Sequence, residues 1–538
     1  MRMRAKTVAL SASLAVLGAA ALPAGAQSVG GLPSVPAEIA SVEHVRNLVH
    51  TSANSMAFFA RTQPDGTERR YVVVATVGNG FDIVEVTDPE NPMVVGRYLL
   101  GEDPAEDPQG ALMRSSLGHN FHPWVDVNPV RNIVSLTIED PAGSALRHNG
   151  GQGIIFVDIT DVTNPRPLGS VPNNSLGGPH TNKMIGDHCV YTSLQPWIVD
   201  YSDPMNPTAK QIPGFDGHEF FEDPNIPNRT YMGDRVTGRW GILDTTDCWN
   251  PVFISKMNDA ASLGTAHEVY PAPDSSFVGV ADFTNAGQLQ TQCPGGAVHF
   301  YDISGKYVPG ASVESPRKMD ARYFAPFTGL PLQGSTNYGS CTMHSWRPDL
   351  ERMLGLAGLY MGGTYVFDWS GPTQPGGVVP EYDGARGTTN WGNTKGLVRD
   401  AADYVNAAQW LPFDLTDPAH ERLFYVAGQG RGLDVYRYTG PLPKKLARLQ
   451  VDASASGGVV SGSLDRYARL TAAGYENFPL PEELVEISAG GVTAQVLTEL
   501  DGSFSADLGL AAGTHQVTVT WSGDDTYRGE TTTATVTV

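Results

Sequence analysis

One segment recurs along most of this chain: an apolar strand ending in an acid, followed by a turn that carries Asp, Asn and Pro. It reads Phe81-Asp-Ile-Val-Glu-Val-Thr-Asp-Pro-Glu-Asn-Pro92 and Ile155-Phe-Val-Asp-Ile-Thr-Asp-Val-Thr-Asn-Pro165. It returns as Trp197-Ile-Val-Asp-Tyr-Ser-Asp-Pro-Met-Asn-Pro207 and Gly241-Ile-Leu-Asp-Thr-Thr-Asp-Cys-Trp-Asn-Pro251. Looser copies are Val298-His-Phe-Tyr-Asp-Ile-Ser304, Tyr365-Val-Phe-Asp-Trp-Ser370 and Leu433-Asp-Val-Tyr-Arg-Tyr-Thr439. β-Branched and aromatic side chains favour a pleated sheet, Asp closes the turn on its own backbone, and Pro fixes φ there. Seven copies at about 40 to 70 residues each leave room for one four-stranded blade per copy plus loop insertions. Helix-period stretches between the strands, which a TIM barrel or doubly wound sheet requires, are missing.

These strand-Asp-turn-Asn-Pro units resemble LVIVD repeats, a propeller repeat of secreted and surface bacterial proteins. Cys341-Thr-Met-His-Ser-Trp346, Gly362-Gly-Thr-Tyr-Val-Phe-Asp368 and Gly430-Arg-Gly-Leu-Asp-Val-Tyr436 are similar to that family's closing blades. The resemblance covers about residues 40 to 440 and implies an architecture, not an activity. Past Pro441-Leu-Pro-Lys-Lys445, which reads as a linker, Ala, Ser, Thr and Val dominate. Period-two alternation in Val492 to Thr498 and Gly513 to Trp521, with the Asp501-Gly502 turn between them, predicts an antiparallel sandwich. Ser522-Gly-Asp-Asp-Thr-Tyr527 before the last strand resembles the corner of bacterial immunoglobulin-like modules, which imply a spacer or adhesive unit. The expected fold is therefore all-β: a seven-bladed β-propeller (27–445) followed by an immunoglobulin-like β-sandwich (446–538).

Residues 1–26 read as an export signal, with Arg2, Arg4 and Lys6 before an apolar stretch from Val8 to Leu22 and a small-residue Ala24-Gly25-Ala26 site. No Cys follows that site to take a lipid, and no later stretch is long and apolar enough to span a bilayer. The expected location is secreted or at the cell surface. The formal net charge of −21 disfavours nucleic acid and anionic membranes as partners. The partner class that remains is an extracellular ligand or surface component. Four cysteines in an oxidising compartment allow three pairings; Cys189–Cys248 with Cys293–Cys341 is preferred because each pair joins adjacent repeats.

No nucleophile elbow, Walker loop or zincin helix is present, and Gly428-Gln-Gly-Arg-Gly432 precedes a strand, so it is a loop. The Asp-rich turns hold too few oxygens for calcium, so capping is expected of Asp88, Asp161, Asp203 and Asp247.

The histidines stand out. His122, His180, His218, His267 and His344 each open what should be the first strand of a blade, about seven residues before its first turn. Thirteen histidines in 538 residues would not fall into one register by composition. First strands surround a propeller's axis, so one register forms one ring, able to give three or four nitrogens to Zn²⁺, Cu²⁺ or Fe²⁺. The alternative is a polar packing device that binds nothing. Glu219 and Glu268, next in sequence to two of these histidines, should point away from them. His119 is a substitute for His122, and the last blade offers Gln409-Trp410 instead of a histidine. The other histidines read as surface or packing residues, and Cys341 as a disulfide partner rather than a thiolate ligand beside His344. Two functions follow: extracellular binding, or a metal-dependent extracellular enzyme (oxidase, lyase or hydrolase) working at the axis.

Overall fold

A computed structural model describes residues 42–48, 53–117, 122–139, 153–172, 179–193, 197–212, 217–234, 238–261, 263–283, 297–324, 343–359, 363–369, 385–388, 405–415, 417–429, 432–452 and 458–538. Within them the chain is all-β, with propeller-like blade sheets. An α-helix, Pro108–Leu117, lies between the first and second sheets. Asp107 caps it by accepting from Gly110 N at 2.8 Å, and also accepts from the Tyr98 hydroxyl at 2.5 Å.

Among the described residues between 42 and 438 the strands pair into seven four-stranded antiparallel sheets. Six are simple meanders, such as Ala53–Thr62, Glu68–Thr76, Gly80–Glu85 and Met93–Leu99. The seventh takes three strands from Val405–Trp410, Leu423–Gly428 and Gly432–Tyr438, and its outer strand, Val42–Leu48, from the start of the described chain. Each first strand packs against the first strand of the next sheet, and the last returns to Ala53–Thr62, so the seven close into a ring. Every copy of the sequence repeat is the third strand of its sheet, which explains why it is the most legible segment: it is buried on both faces.

The turns behave as the sequence predicts. Asp88, Asp161, Asp203 and Asp247 each accept from the backbone N–H two residues on, between 2.9 and 3.2 Å. Where the Asp-Pro turn is lost, Asp302 takes over a wider loop and accepts from Ser304, Gly305, Tyr307 and Val308 N–H groups. The Cys189–Cys248 disulfide is present, with Cα atoms 6.0 Å apart, and joins the third and fourth sheets. Cys293 and Cys341 lie outside the described residues.

From Ala447 two further four-stranded sheets share one core, built on Val460, Leu464, Val485, Ile487, Phe504, Val519 and Trp521. Asp524 closes the corner before the last strand by accepting from Thr526 and Tyr527 N–H groups. The stretch read as a linker is tied down at its end. Lys445 is buried, with its ammonium 2.6 Å from Glu421 and 3.1 Å from Glu351, and its backbone pairs with Thr526 and Arg528.

Candidate functional site

The first strands that carry the histidines are His122–Asn128, Asn182–Ile185, Gly217–Glu222, Ala266–Pro271 and Ser345–Pro348. His180 and His344 stand just before theirs, and the side chain of His122 lies outside the described residues, as does His119. The other four imidazoles come together. Ring centroids are 5.2 Å apart for His180 and His218, 4.0 Å for His218 and His267, and 4.7 Å for His267 and His344. Trp124 closes the circle, 5.5 Å from His180 and 6.1 Å from His344, and Phe283 stacks on His267 at 5.1 Å.

Glu219 is the main departure from the sequence reading. Strict alternation sends it away from His218, yet its carboxylate lies with the ring nitrogens of His218 and His267, all three ligand atoms within 4.8 Å of one another. The reason is in the register. Gly217 pairs Asp234 while Phe220 pairs Met232, so the strand carries an extra residue opposite its partner. A bulge of this kind bends the strand and re-aims side chains. The same shift occurs at Ala266/Glu268, Ala53/Met56 and Val405/Ala407, always at the start of a first strand. Glu268 turns to the next sheet, where its carboxylate is 2.5 Å from Arg347 and accepts from Trp346 N–H at 2.5 Å.

Burial pushes the Glu219 carboxyl well above the ordinary carboxylate range, and the nearby Glu268 charge adds to it. Burial also raises Glu268, against the Arg347 cation. Burial works against the charge of Arg347, but Glu268, Tyr270 and Glu219 together hold it above its usual value. The result is a buried pair of carboxyl groups beside the histidines, Glu268 bonded to the Arg347 guanidinium and Glu219 feeling its charge at a distance.

Two features had no readable signal in the sequence. The Glu139 carboxylate bonds to His180 Nδ1 from the neighbouring sheet, the arrangement that fixes the tautomer of a metal-ligating imidazole. A cavity of about 720 Å³ runs from Glu219 and Trp124 to the far ends of the first strands, where Tyr475 of the second module lines it. Of the remaining described histidines, His44 bonds Asp434, His299 is fully buried near Asp282, His420 neighbours Asp417 and His515 bonds the Ala511 carbonyl. His188 Nε2 lies 3.7 Å from Cys248 Sγ, but both cysteines of that cluster are spent in the disulfide. Gln409 lines the cavity, and Trp410 is buried among Phe424 and Tyr438.

No protein-family model matches the chain, and no curated protein matches it in sequence. Among solved structures it is similar to the β-propeller domain of Myceliophteria thermophila Cps50 (Swd1), at 9% identity and TM-score 0.43, over 73% of this chain and 99% of that one. A functionally unknown protein from Desulfotomaculum acetoxidans aligns at 11% identity and TM-score 0.38, over 62% of this chain and 86% of that one. Among the described residues no helix is long and apolar enough to cross a membrane; that and the disulfide are compatible with an extracellular location.

Proposed function

We propose that this chain is an exported seven-bladed propeller of the LVIVD type with a C-terminal immunoglobulin-like module, and that it holds a divalent transition metal at its axis. The ligands are drawn from His180, His218, His267 and His344, with Glu219 as an oxygen donor and His122 as a further nitrogen in the same register. The observation that carries this reading is the His218–Glu219–His267 group, whose ligand atoms lie within 4.8 Å of one another. Two ligand atoms across one Zn²⁺ stand at most ~4.2 Å apart, so only a small closure is needed. The donor set of imidazoles and one carboxylate suits Zn²⁺, Cu²⁺ or Fe²⁺.

A cavity of about 720 Å³ beside the ligands favours chemistry or binding on a small molecule over recognition of a large partner at this site. The metal would act there as a Lewis acid, while the Glu139 carboxylate orients His180. Extracellular binding without turnover is the second reading, favoured by the absence of a nucleophile or base motif in the sequence.

Elemental analysis of the mature protein, without a tag, after exposure to Zn²⁺, Cu²⁺ and Fe²⁺ tests the site. One equivalent of metal is expected in the wild type and a loss of it in His218→Ala/His267→Ala. A wild type that never retains metal removes the axial site; a double variant that retains it equally shows that other residues are the ligands.

A further inference from the structure

The strand Val459–Thr471 and its partner Gly474–Pro479 form a long hairpin that reaches from the second module to the end of the ring opposite the histidines. Its tip is a glycine turn, Gly474 having φ +108°. The hairpin is fastened there rather than resting there. Leu470 N–H donates to the Pro412 carbonyl at 2.8 Å, Ala468 N–H to Asn225 Oδ1 at 3.3 Å, and Arg469 lies 2.5 Å from Glu351. Leu470 joins the apolar core of the first and seventh sheets.

This places Tyr475 in the cavity. Its hydroxyl feels the charges of Lys183, Asp126, Arg469 and Arg347, which belong to three different sheets and the hairpin itself. Yet Tyr475 keeps 46% of its surface, because what it faces is the cavity. Elsewhere in the wall the rings of Phe221 and Tyr270 lie 4.0 Å apart, with the Arg347 guanidinium over both.

The charges of that wall are uneven. Lys183 is taken by Asp126 at 2.8 Å and Arg347 by Glu268 at 2.5 Å, while Arg448 stands beside Asp465. Glu222 and Asp223 also line the cavity; among the described residues no ion pair reaches them, Lys183 and Arg229 acting on them only at a distance, and their hydrogen bonds come from Gly186 N–H and from Asn225, Ile226, Tyr231 and Ser275. Glu219, buried and also in the lining, has one carboxyl oxygen with no hydrogen-bond partner. Aromatic walls with an excess of carboxyl groups suit a flat cation.

We propose that Tyr475 is a ligand-contacting residue: the second module supplies one wall of the axial cavity instead of acting as a spacer, and the cavity so completed takes a small aromatic amine. This rests on the reading of the axial cavity as the functional site and adds to it the ligand class and a specificity residue.

The test is calorimetric titration of the full mature protein, with and without added Zn²⁺, with three phenols that differ in side-chain charge: tyramine, p-cresol and 4-hydroxyphenylacetate. The acid is compared in the metal-free sample, because its carboxylate is itself a Zn²⁺ ligand. Tyramine is expected to bind, with the acid at least about tenfold weaker and the neutral phenol between them. Tyr475→Ala should weaken tyramine about tenfold and Tyr475→Phe less than about threefold, since the ring face supplies the contact. Tyr475→Trp, which keeps the wall and narrows the space, should also weaken it; it serves if the alanine variant melts early. No saturable tyramine binding, indifference to Tyr475→Ala and Tyr475→Trp, or equal binding of the acid would overturn the proposal. Metal content measured on the same samples separates the two readings. Tyramine selectivity that persists in a protein unable to hold metal defeats only the metal site. Retained metal with tyramine indifferent to Tyr475 defeats only the inference drawn here.

Discussion

Glu351, with no surface exposed to solvent, and Arg469, on the hairpin of the second module, form a 2.5 Å ion pair across the junction of the two parts of the chain. Arg466 at 3.0 Å and Lys445 at 3.1 Å complete a cage of three cations around this one carboxylate. Glu351→Gln removes the nearest counter-charge of the buried Arg469, leaving it Asp349 at 3.6 Å, while Lys445 keeps Glu421 and Arg466 keeps Asp414. Breaking such a pair costs about 3–5 kcal/mol, and denaturant unfolding of the variant should show a loss of that order. Glu351→Met with Arg469→Met, which removes both partners, should recover part of it.

The same group sets an acid limit. Burial alone would raise the Glu351 carboxyl, but Arg469, Lys445 and Arg466 reverse that and hold it well below its ordinary value of 4.5. A depressed carboxyl stabilises the folded state fully above the unfolded-state pKa, and the contribution fades as pH falls through the folded one. Melting temperature should therefore gain nothing from this group above about pH 5 and fall below about pH 4.5. The fall should be shallower in Glu351→Gln; identical acid limbs in the two proteins would show that the cage does not titrate as described.

The His180–Glu139 contact predicts a graded effect. Glu139→Gln keeps the shape but removes the charge that orients the imidazole, and losing such a partner typically costs about 10–100-fold in metal affinity. Competition against a chelator should show that drop, with the melting temperature of the metal-free protein little changed. An unchanged affinity would mean His180 is not a ligand.

Gly96, on the fourth strand of the first sheet, has no room for a side chain: a Cβ there would stand 1.8 Å from the Val162 carbonyl of the next sheet. Gly169 faces the Pro204 and Met205 carbonyls in the same way one sheet further on. Gly96→Ala must push two sheets apart, and overpacking of this kind costs about 1–3 kcal/mol. Thermal unfolding should register it, while Gly491→Ala, at an open turn, serves as the comparison for backbone strain alone.

Reduction of Cys189–Cys248, which closes a loop of 59 residues, should lower stability by about 2–5 kcal/mol. Melting with and without a phosphine reductant measures it.

What could be read from the sequence follows from what kind of order each feature has. The third strands were legible because burial on both faces forces β-branched and aromatic residues at each copy, and the Asp caps because Asx turns are local. The nearness of His180, His218, His267 and His344 was legible because they recur at one position of successive repeats. Glu219 was misplaced because a bulge is a pairing property: nothing in Gly217-His-Glu-Phe220 says that the strand has one residue more than its partner. Glu139 pairs with His180 across two sheets, and Tyr475 reaches the cavity from more than a hundred residues beyond Arg347, so no local pattern announces either. Lys445 was read as linker because Pro-Leu-Pro-Lys-Lys looks solvated; its burial depends on Glu351 and Glu421, which sit far from it in sequence.

The strand Val42–Leu48 that completes the seventh sheet has a kinetic consequence. His44 and Asp434, bonded at 2.8 Å, are separated by 390 positions, so this contact carries nearly the largest loop-closure cost the chain can incur. A growing polypeptide makes this strand early and gives it a partner only after six other sheets have been synthesised. Closure is then expected to be late and slow, and the exposed edge of Gly432–Tyr438 is the place where a half-finished molecule would capture a neighbour's strand.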